Sequence, residues 1–297
     1  MAGSPIDSLV RGIAHRYTVS FDQVVAIPSQ GVANLTYSLG ADLVLRVARP
    51  GFADDLAREL IAIPFAIAAG VVAPVIVEHG QDGAGQPYLV QNRCAGVLLA
   101  DVDEAVAAAA YNELGHLLAR LHRADVSQLG TLRRAPLSDP TEVVDELGEF
   151  GWISGTDVAW LRDWFVRLAG LGGGSPEPAL LHGDASPSNV LVDPANGRVT
   201  GLLDWGDAAL GDPAFDLAKI PPRHLPSTIA GYAHGADTVP WAARALTHQL
   251  HWALGRLLTD PRRADSTWSA PPASRLVGLL RLTAHLPAEW AALLPAA

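Results

Sequence analysis

Hydrophobic positions fall into two regimes along the chain: short β-rich runs before about residue 93, and helix-spaced apolar positions after it. Ile6 to Tyr17 reads as a short helix, Gln23–Ile27 as an entry strand and Asp42–Val47 as a second strand. Asp54 to Ala62 then reads as a helix. Leu60 to Val77 carries no charged residue and has the rough length of a membrane span. Pro64, Gly70 and Pro74 interrupt it, so a helix end, a turn and a buried strand account for it better. Gln81–Gln86 is a polar turn and Tyr88–Gln91 a further strand. Asn92-Arg93-Cys94-Ala95-Gly96 follows as a hinge, or as a plain interdomain linker. From Val102 the spacing becomes helical. Asp103 to His122 places Leu114, Leu117, Leu118 and Leu121 on one core face, and Asp139–Phe150 and Thr156–Leu171 form two more helices. Gly172-Gly173-Gly174-Ser175-Pro176 breaks the pattern before a strand and loop at 180–189. Gly211 to Asp216 starts another helix, and residues 239–258 and 273–286 supply the last ones, with a Pro/Arg/Ser-rich loop between them. The division is a β-rich unit over 1–93 and a helical unit over 94–297.

Between these helices lies the stretch that carries chemistry. Val190–Val192 and Val199–Leu203 are β-rich runs, and Asn196-Gly197 between them is a strong hairpin signal. A two-residue turn there sets Asn189 opposite Asp204, with Cβ atoms about 5 Å apart. A four-residue loop over Pro194–Gly197 would shift that register. His182-Gly183-Asp184 precedes the hairpin, with Asn189 following at kinase spacing. Phosphoryl transfer needs such a set: an acid to orient the attacking hydroxyl, and an amide and a carboxylate to hold magnesium on the phosphates. The bland alternative is a surface hairpin ending in acidic residues.

The first unit holds candidates of weaker signature. Ser29 to Tyr37, containing Gly31, Val32 and Asn34, joins two strands, and its backbone N–H groups could sit over a triphosphate. Arg46 occupies the place where a kinase strand carries its phosphate-binding lysine. Glu59 is its candidate partner, and Arg49 is a rival cation. Backbone groups of the hinge could pair with an adenine edge.

Composition narrows the classes. At 49% apolar and 18% charged residues, the 297-residue chain is globular. A net charge of −10 disfavours nucleic acid and anionic membrane as partners and favours cationic ligands. Cys94 is the only cysteine, so no intrachain disulfide exists. The N-terminal residues lack a basic region followed by an apolar one, so the expectation is a cytoplasmic protein. Lys219 is the only lysine, which argues against a Walker-A loop or a lysine general base. His116 and His122 read as packing or capping residues. His248 and His251 could share a metal but read better as a packing pair, because no third ligand is evident.

The chain resembles the aminoglycoside phosphotransferase family through His182-Gly183-Asp184 with Asn189, Leu203-Asp204-Trp205, and Gly211-Asp212-Pro213 with Asp216-Leu217-Ala218. Gly31, Asn34, Tyr37, Arg46, Glu59 and Ala119-Arg120-Leu121-His122 agree more loosely. The resemblance implies an α+β, protein-kinase-like bilobal fold, with a small β-rich lobe, a large helical lobe and nucleotide between them. It implies Asp184 as catalytic base, Asn189 and Asp204 as Mg²⁺ ligands, and Gln91, Arg93 and Cys94 in an adenine hinge, with ATP or GTP as donor. Only seven residues separate Asp204 from Asp212, too few for a peptide platform, so the acceptor is a small-molecule hydroxyl compound. Net acidity suits a cationic aminoglycoside, while eight tryptophans would suit a macrolide. A metabolic kinase for a sugar, choline or homoserine, and a pseudokinase without catalysis, are the alternatives.

Overall fold

The computed structural model describes residues 5–28, 33–135, 139–174, 176–258 and 274–295. Gly31, Val32, Ser175 and the Pro/Arg/Ser-rich loop therefore lie outside the described residues. The first lobe is a five-stranded antiparallel sheet ordered β1-β2-β3-β5-β4. Its strands are β1 (Val24–Ile27), β2 (Asn34–Leu39), β3 (Leu43–Ala48), β4 (Ile76–Gln81) and β5 (Pro87–Asn92). β3 sits at the centre, where strand alternation sends its side chains to two covered faces. Leu45 and Val47 join Val10 and Ile13 of helix α1 (Pro5–Arg16) in one cluster. Ala48 packs instead with Leu56 of helix α2 (Ala53–Ala68), so Arg46, two positions earlier, also faces α2.

Helix α2 runs six residues beyond the expected end at Ala62 and passes through Pro64. Ala62, Ile63 and Ala66 on either side of the proline are buried, so packing outweighs the lost backbone hydrogen bond. The apolar run after it ends the helix at Ala68 and leads into β4, as a helix end and turn rather than a span. Among the described residues no helix is long and apolar enough to cross a membrane.

The second lobe is mainly helical: α3 (Glu104–His122), α4 (Pro140–Glu149), α5 (Gly155–Leu171), α6 (Ala214–Leu217), α7 (Leu225–Ala233), α8 (Val239–Gly255) and α9 (Ser274–Ala284). Asp139 caps α4, and Ser154 with Asp157 forms a capping box on α5. α3 is the axis, with Leu114, Leu118 and Leu121 fully buried. Helix α7, which the sequence pattern did not announce, lies tightly against it. A Cβ on Gly115 would collide with the Thr228 carbonyl, and one on Gly231 with the Asn112 carbonyl. These paired glycines let two backbones meet. The helix expected from Gly211 onward is a four-residue piece, α6, because Pro221 and Pro222 stop it.

Short strands of the second lobe follow the hinge. β6 (Val97–Leu98) pairs with β8 (Val190–Val192), which pairs with β9 (Val199–Leu202). β7 (Ala179–Leu181) pairs with β10 (Ala209–Gly211), bringing the two ends of the motif stretch side by side. The α+β, bilobal arrangement expected from the sequence is the one observed.

Candidate active site

The loop after β7 is held from below by a buried carboxylate. Asp216 accepts hydrogen bonds from the backbone N–H of His182 at 2.7 Å and of Gly183 at 2.8 Å, and lies 3.1 Å from Nε2 of His122. Burial opposes its ionisation, but the His122 hydrogen bond and the loop N–H groups hold its carboxyl below the ordinary range. Gly183 adopts φ +85°, and any Cβ there would strike the Asp207 carbonyl. Glycine is required at this position for both reasons. His182 ties the loop to the next segment: Nε2 donates to the Leu203 carbonyl at 2.9 Å, and Nδ1 accepts from the Asp184 N–H. Its ring meets Trp205 edge-on at 4.5 Å.

Asp184 is fixed by its neighbour in the same loop. Nδ2 of Asn189 donates to the Asp184 carbonyl and to Oδ2 of Asp184, each at 2.9 Å. The amide's two N–H groups are thereby used, and its carbonyl oxygen remains for a cation. Burial pushes the Asp184 carboxyl up; Lys219 and His182 oppose that shift.

The hairpin corrects one expectation. Its connection is the four-residue loop Pro194–Gly197, closed by Gly197 N–H to the Asp193 carbonyl at 2.9 Å. The Asp193 side chain accepts from Ala195 N–H and from the Asn196 amide, which builds the longer loop. Val192 therefore pairs with Val199, and a bulge between Leu191 and Val192 shifts the register by one. Val190 thus pairs with Leu202, and Asn189 lies opposite Leu203 rather than Asp204, its backbone carbonyl accepting from Leu203 N–H at 2.7 Å. Asp204 sits one residue further on, at φ +64° and ψ +71°, a left-handed conformation that costs about 1 kcal/mol outside glycine. That turn sends its carboxylate towards the first lobe.

There the expected partnership is present. The Arg46 guanidinium lies 2.8 Å from Oε2 and 2.7 Å from Oε1 of Glu59, and donates to Oδ1 of Asp204 at 2.6 Å. Burial pushes the Glu59 carboxyl up, and the Arg46 guanidinium against it opposes that shift. Asp204 is also opposed by burial, yet Arg46 holds it below the ordinary carboxylate range. Arg49, the rival cation, is exposed. Arg58 donates to the Gly206 carbonyl and pairs with Asp55, docking α2 on the turn after Asp204.

The residues present fit a magnesium nucleotide. Asp204 and the free carbonyl of Asn189 are hard oxygen donors, and magnesium takes few protein ligands because phosphates and water supply the rest. Accordingly, no cluster of three or more His, Cys, Asp or Glu is needed, and none occurs among the described residues. Asn34 Oδ1 and Gln91 Oε1 are buried with no hydrogen-bond partner among the described residues, a shortfall that a bound donor would cover. At the hinge, Arg93 is turned away: its N–H donates to the Asp42 carbonyl at 2.7 Å and its side chain to Ser38 Oγ at 2.7 Å. Cys94 packs against Gly201, and burial pushes its thiol up.

One residue escaped the sequence reading. Nζ of Lys219 lies 3.9 Å from Oδ1 of Asp184. It rests 4.6 Å over the Trp252 ring and 5.3 Å over Phe215. Asp212 accepts from Ala214 N–H at the start of α6 and faces Arg244 and His248, so it braces these helices.

The sequence profile of the phosphotransferase enzyme family matches residues 24–246. The chain is 30% identical over 171 residues to an aminoglycoside 3'-phosphotransferase of Streptomyces fradiae, covering 55% of this chain and 63% of that enzyme. It is 25% identical over 211 residues to a hygromycin-B 4-O-kinase of Escherichia coli, covering 65% of this chain and 60% of that one. It thus spans about three fifths of the length of these curated relatives. Among solved structures, the GDP complex of an aminoglycoside 2'-phosphotransferase aligns over 95% of this chain and 99% of its own, with a TM-score of 0.69 at 19% identity. That likeness establishes the protein-kinase-like bilobal fold.

Proposed function

Because the chain belongs to the phosphotransferase enzyme family of aminoglycoside phosphotransferases, we propose that it transfers the γ-phosphoryl group of ATP to a small-molecule hydroxyl. The observation that carries this reading is the Asn189 amide on Oδ2 of Asp184, which leaves Oδ1 to receive an acceptor hydroxyl. Asp184 orients that hydroxyl for in-line attack and takes its proton. Asn189 and Asp204 would hold Mg²⁺, which neutralises phosphate charge when bound. Arg46, anchored on Glu59, keeps Asp204 ionised and presents positive charge towards the phosphates. Positioning and electrostatics supply nearly all the acceleration in such transfers.

The related enzymes are named for hydroxyl-bearing antibiotics, including hygromycin B and viomycin, and this supports an antibiotic of that kind as acceptor. The GDP bound to one structural relative supports a purine nucleotide as donor. A coupled ADP-release screen over aminoglycosides, macrolides, sugars, choline and homoserine tests the reading. Acceptor-dependent release that collapses in Asp184→Ala, with MgATP affinity little changed, is the expected result. MgATP binding without transfer to any acceptor would replace the enzyme with a non-catalytic nucleotide-binding protein.

A further inference from the structure

Lys219 is the single lysine of the chain, and its side chain is only 16% exposed. Its ammonium is pinned over the rings of Trp252 and Phe215, an arrangement that fixes a cation without using its N–H groups. At 3.9 Å, the contact with Oδ1 of Asp184 is an ion pair too long for a hydrogen bond. No hydrogen-bond acceptor among the described residues engages Nζ, so the ammonium keeps N–H donors for an oxygen lodged beside the one Asp184 oxygen that Asn189 leaves open.

The distance itself suggests the occupant. An oxygen atom about 2.7 Å from Oδ1 and about 2.9 Å from Nζ closes a triangle on that separation with ordinary hydrogen-bond lengths. Only a group that donates to the carboxylate and accepts from the ammonium fits, and a hydroxyl does both. We propose that Lys219 is a further catalytic residue, donating to the acceptor hydroxyl while that hydroxyl donates to Asp184; this role rests on the phosphotransferase reading above. In the transfer, the acceptor oxygen bonds to the γ-phosphorus as the bond to the β–γ bridging oxygen breaks, and the proton passes to Asp184. Lys219 stabilises negative charge gathering on the oxygens around phosphorus. A protonated amine on the carbon next to the reacting hydroxyl would meet this ammonium, so hydroxyls with oxygen neighbours are the better acceptors.

The test compares the full-length chain with Lys219→Met and Asp184→Asn. MgATP turnover is measured with kanamycin as acceptor and with water alone. Lys219→Met is expected to lower kcat on the order of 10²-fold, the scale of losing one donor aimed at the reacting oxygens. KM for MgATP and thermal midpoint should stay at parental values. Parental kcat in Lys219→Met, with Asp184→Asn inactive, would overturn the Lys219 role alone. A loss of kcat accompanied by lost MgATP affinity or a lowered midpoint would make Lys219 structural, and overturn it too. Turnover retained by Asp184→Asn would remove the phosphotransferase site and the Lys219 role together.

Discussion

Two cations flank the site, and they are held in opposite ways. Arg46 is buried between Glu59 and Asp204, with both guanidinium ends in contact with a carboxylate at 2.6–2.8 Å. Among the described residues, Lys219 meets only ring faces and a 3.9 Å ion pair. Arg46 is therefore fully paired within the protein, whereas the N–H groups of Lys219 meet no hydrogen-bond acceptor among the described residues. The first arrangement gives rigidity and pre-set electrostatics. The second leaves hydrogen-bonding capacity that the proposed acceptor hydroxyl would use.

That contrast breaks most visibly at Arg46. Arg46→Met strands Glu59 and the left-handed turn at Asp204, and should cost about 3–5 kcal/mol, as removal of one buried ion-pair partner does. Denaturant unfolding checks it, and a change near zero would mean the network is not a stabilising unit. The loop that presents Asp184 comes next. Asp216→Ala removes the acceptor for two buried N–H groups and should cost about 2–3 kcal/mol while lowering kcat more than KM. Gly183→Ala should lower kcat too, because the Asp207 carbonyl must move for the added methyl, at about 1–3 kcal/mol of strain.

The smallest effect lies away from both cations. His224 stacks on Tyr111 at 4.0 Å and accepts from Arg223 Nε at 2.8 Å; burial pushes its imidazole down to about 4. Its folded value lies below its unfolded one, so it contributes stability above about pH 6.5 that is lost as pH falls towards 4. The thermal midpoint should fall by about 2–4 °C between pH 7 and 5, and less in His224→Gln. An equal fall in both chains would assign the loss to other groups.

How much of this was legible depends on whether the cause was local. The Arg46–Glu59 pair followed from the place of the strand cation and helix carboxylate in a kinase, and Asp184, Asn189 and Asp204 from kinase spacing. The hairpin register did not, because Asp193 builds a side-chain-braced loop where Asn196-Gly197 alone suggests a two-residue turn. Gly197 takes φ +74° within that longer loop. Helix α7 was hidden by burial on nearly all sides, which erases a helical period. Lys219 lies in no motif; α6 and the aromatic rings of α8 bring it to Asp184 through tertiary packing. Of the residues the sequence offered for a hinge, Arg93 is committed to β2 and to Asp42.

Calorimetry of ATP with and without Mg²⁺, with no acceptor present, tests the division between the two sides most directly. The parental chain and Asp184→Asn should both bind MgATP more tightly than ATP alone, and Asp204→Asn should lose that difference. Full metal enhancement in Asp204→Asn, or its loss in Asp184→Asn, would contradict a preassembled nucleotide side.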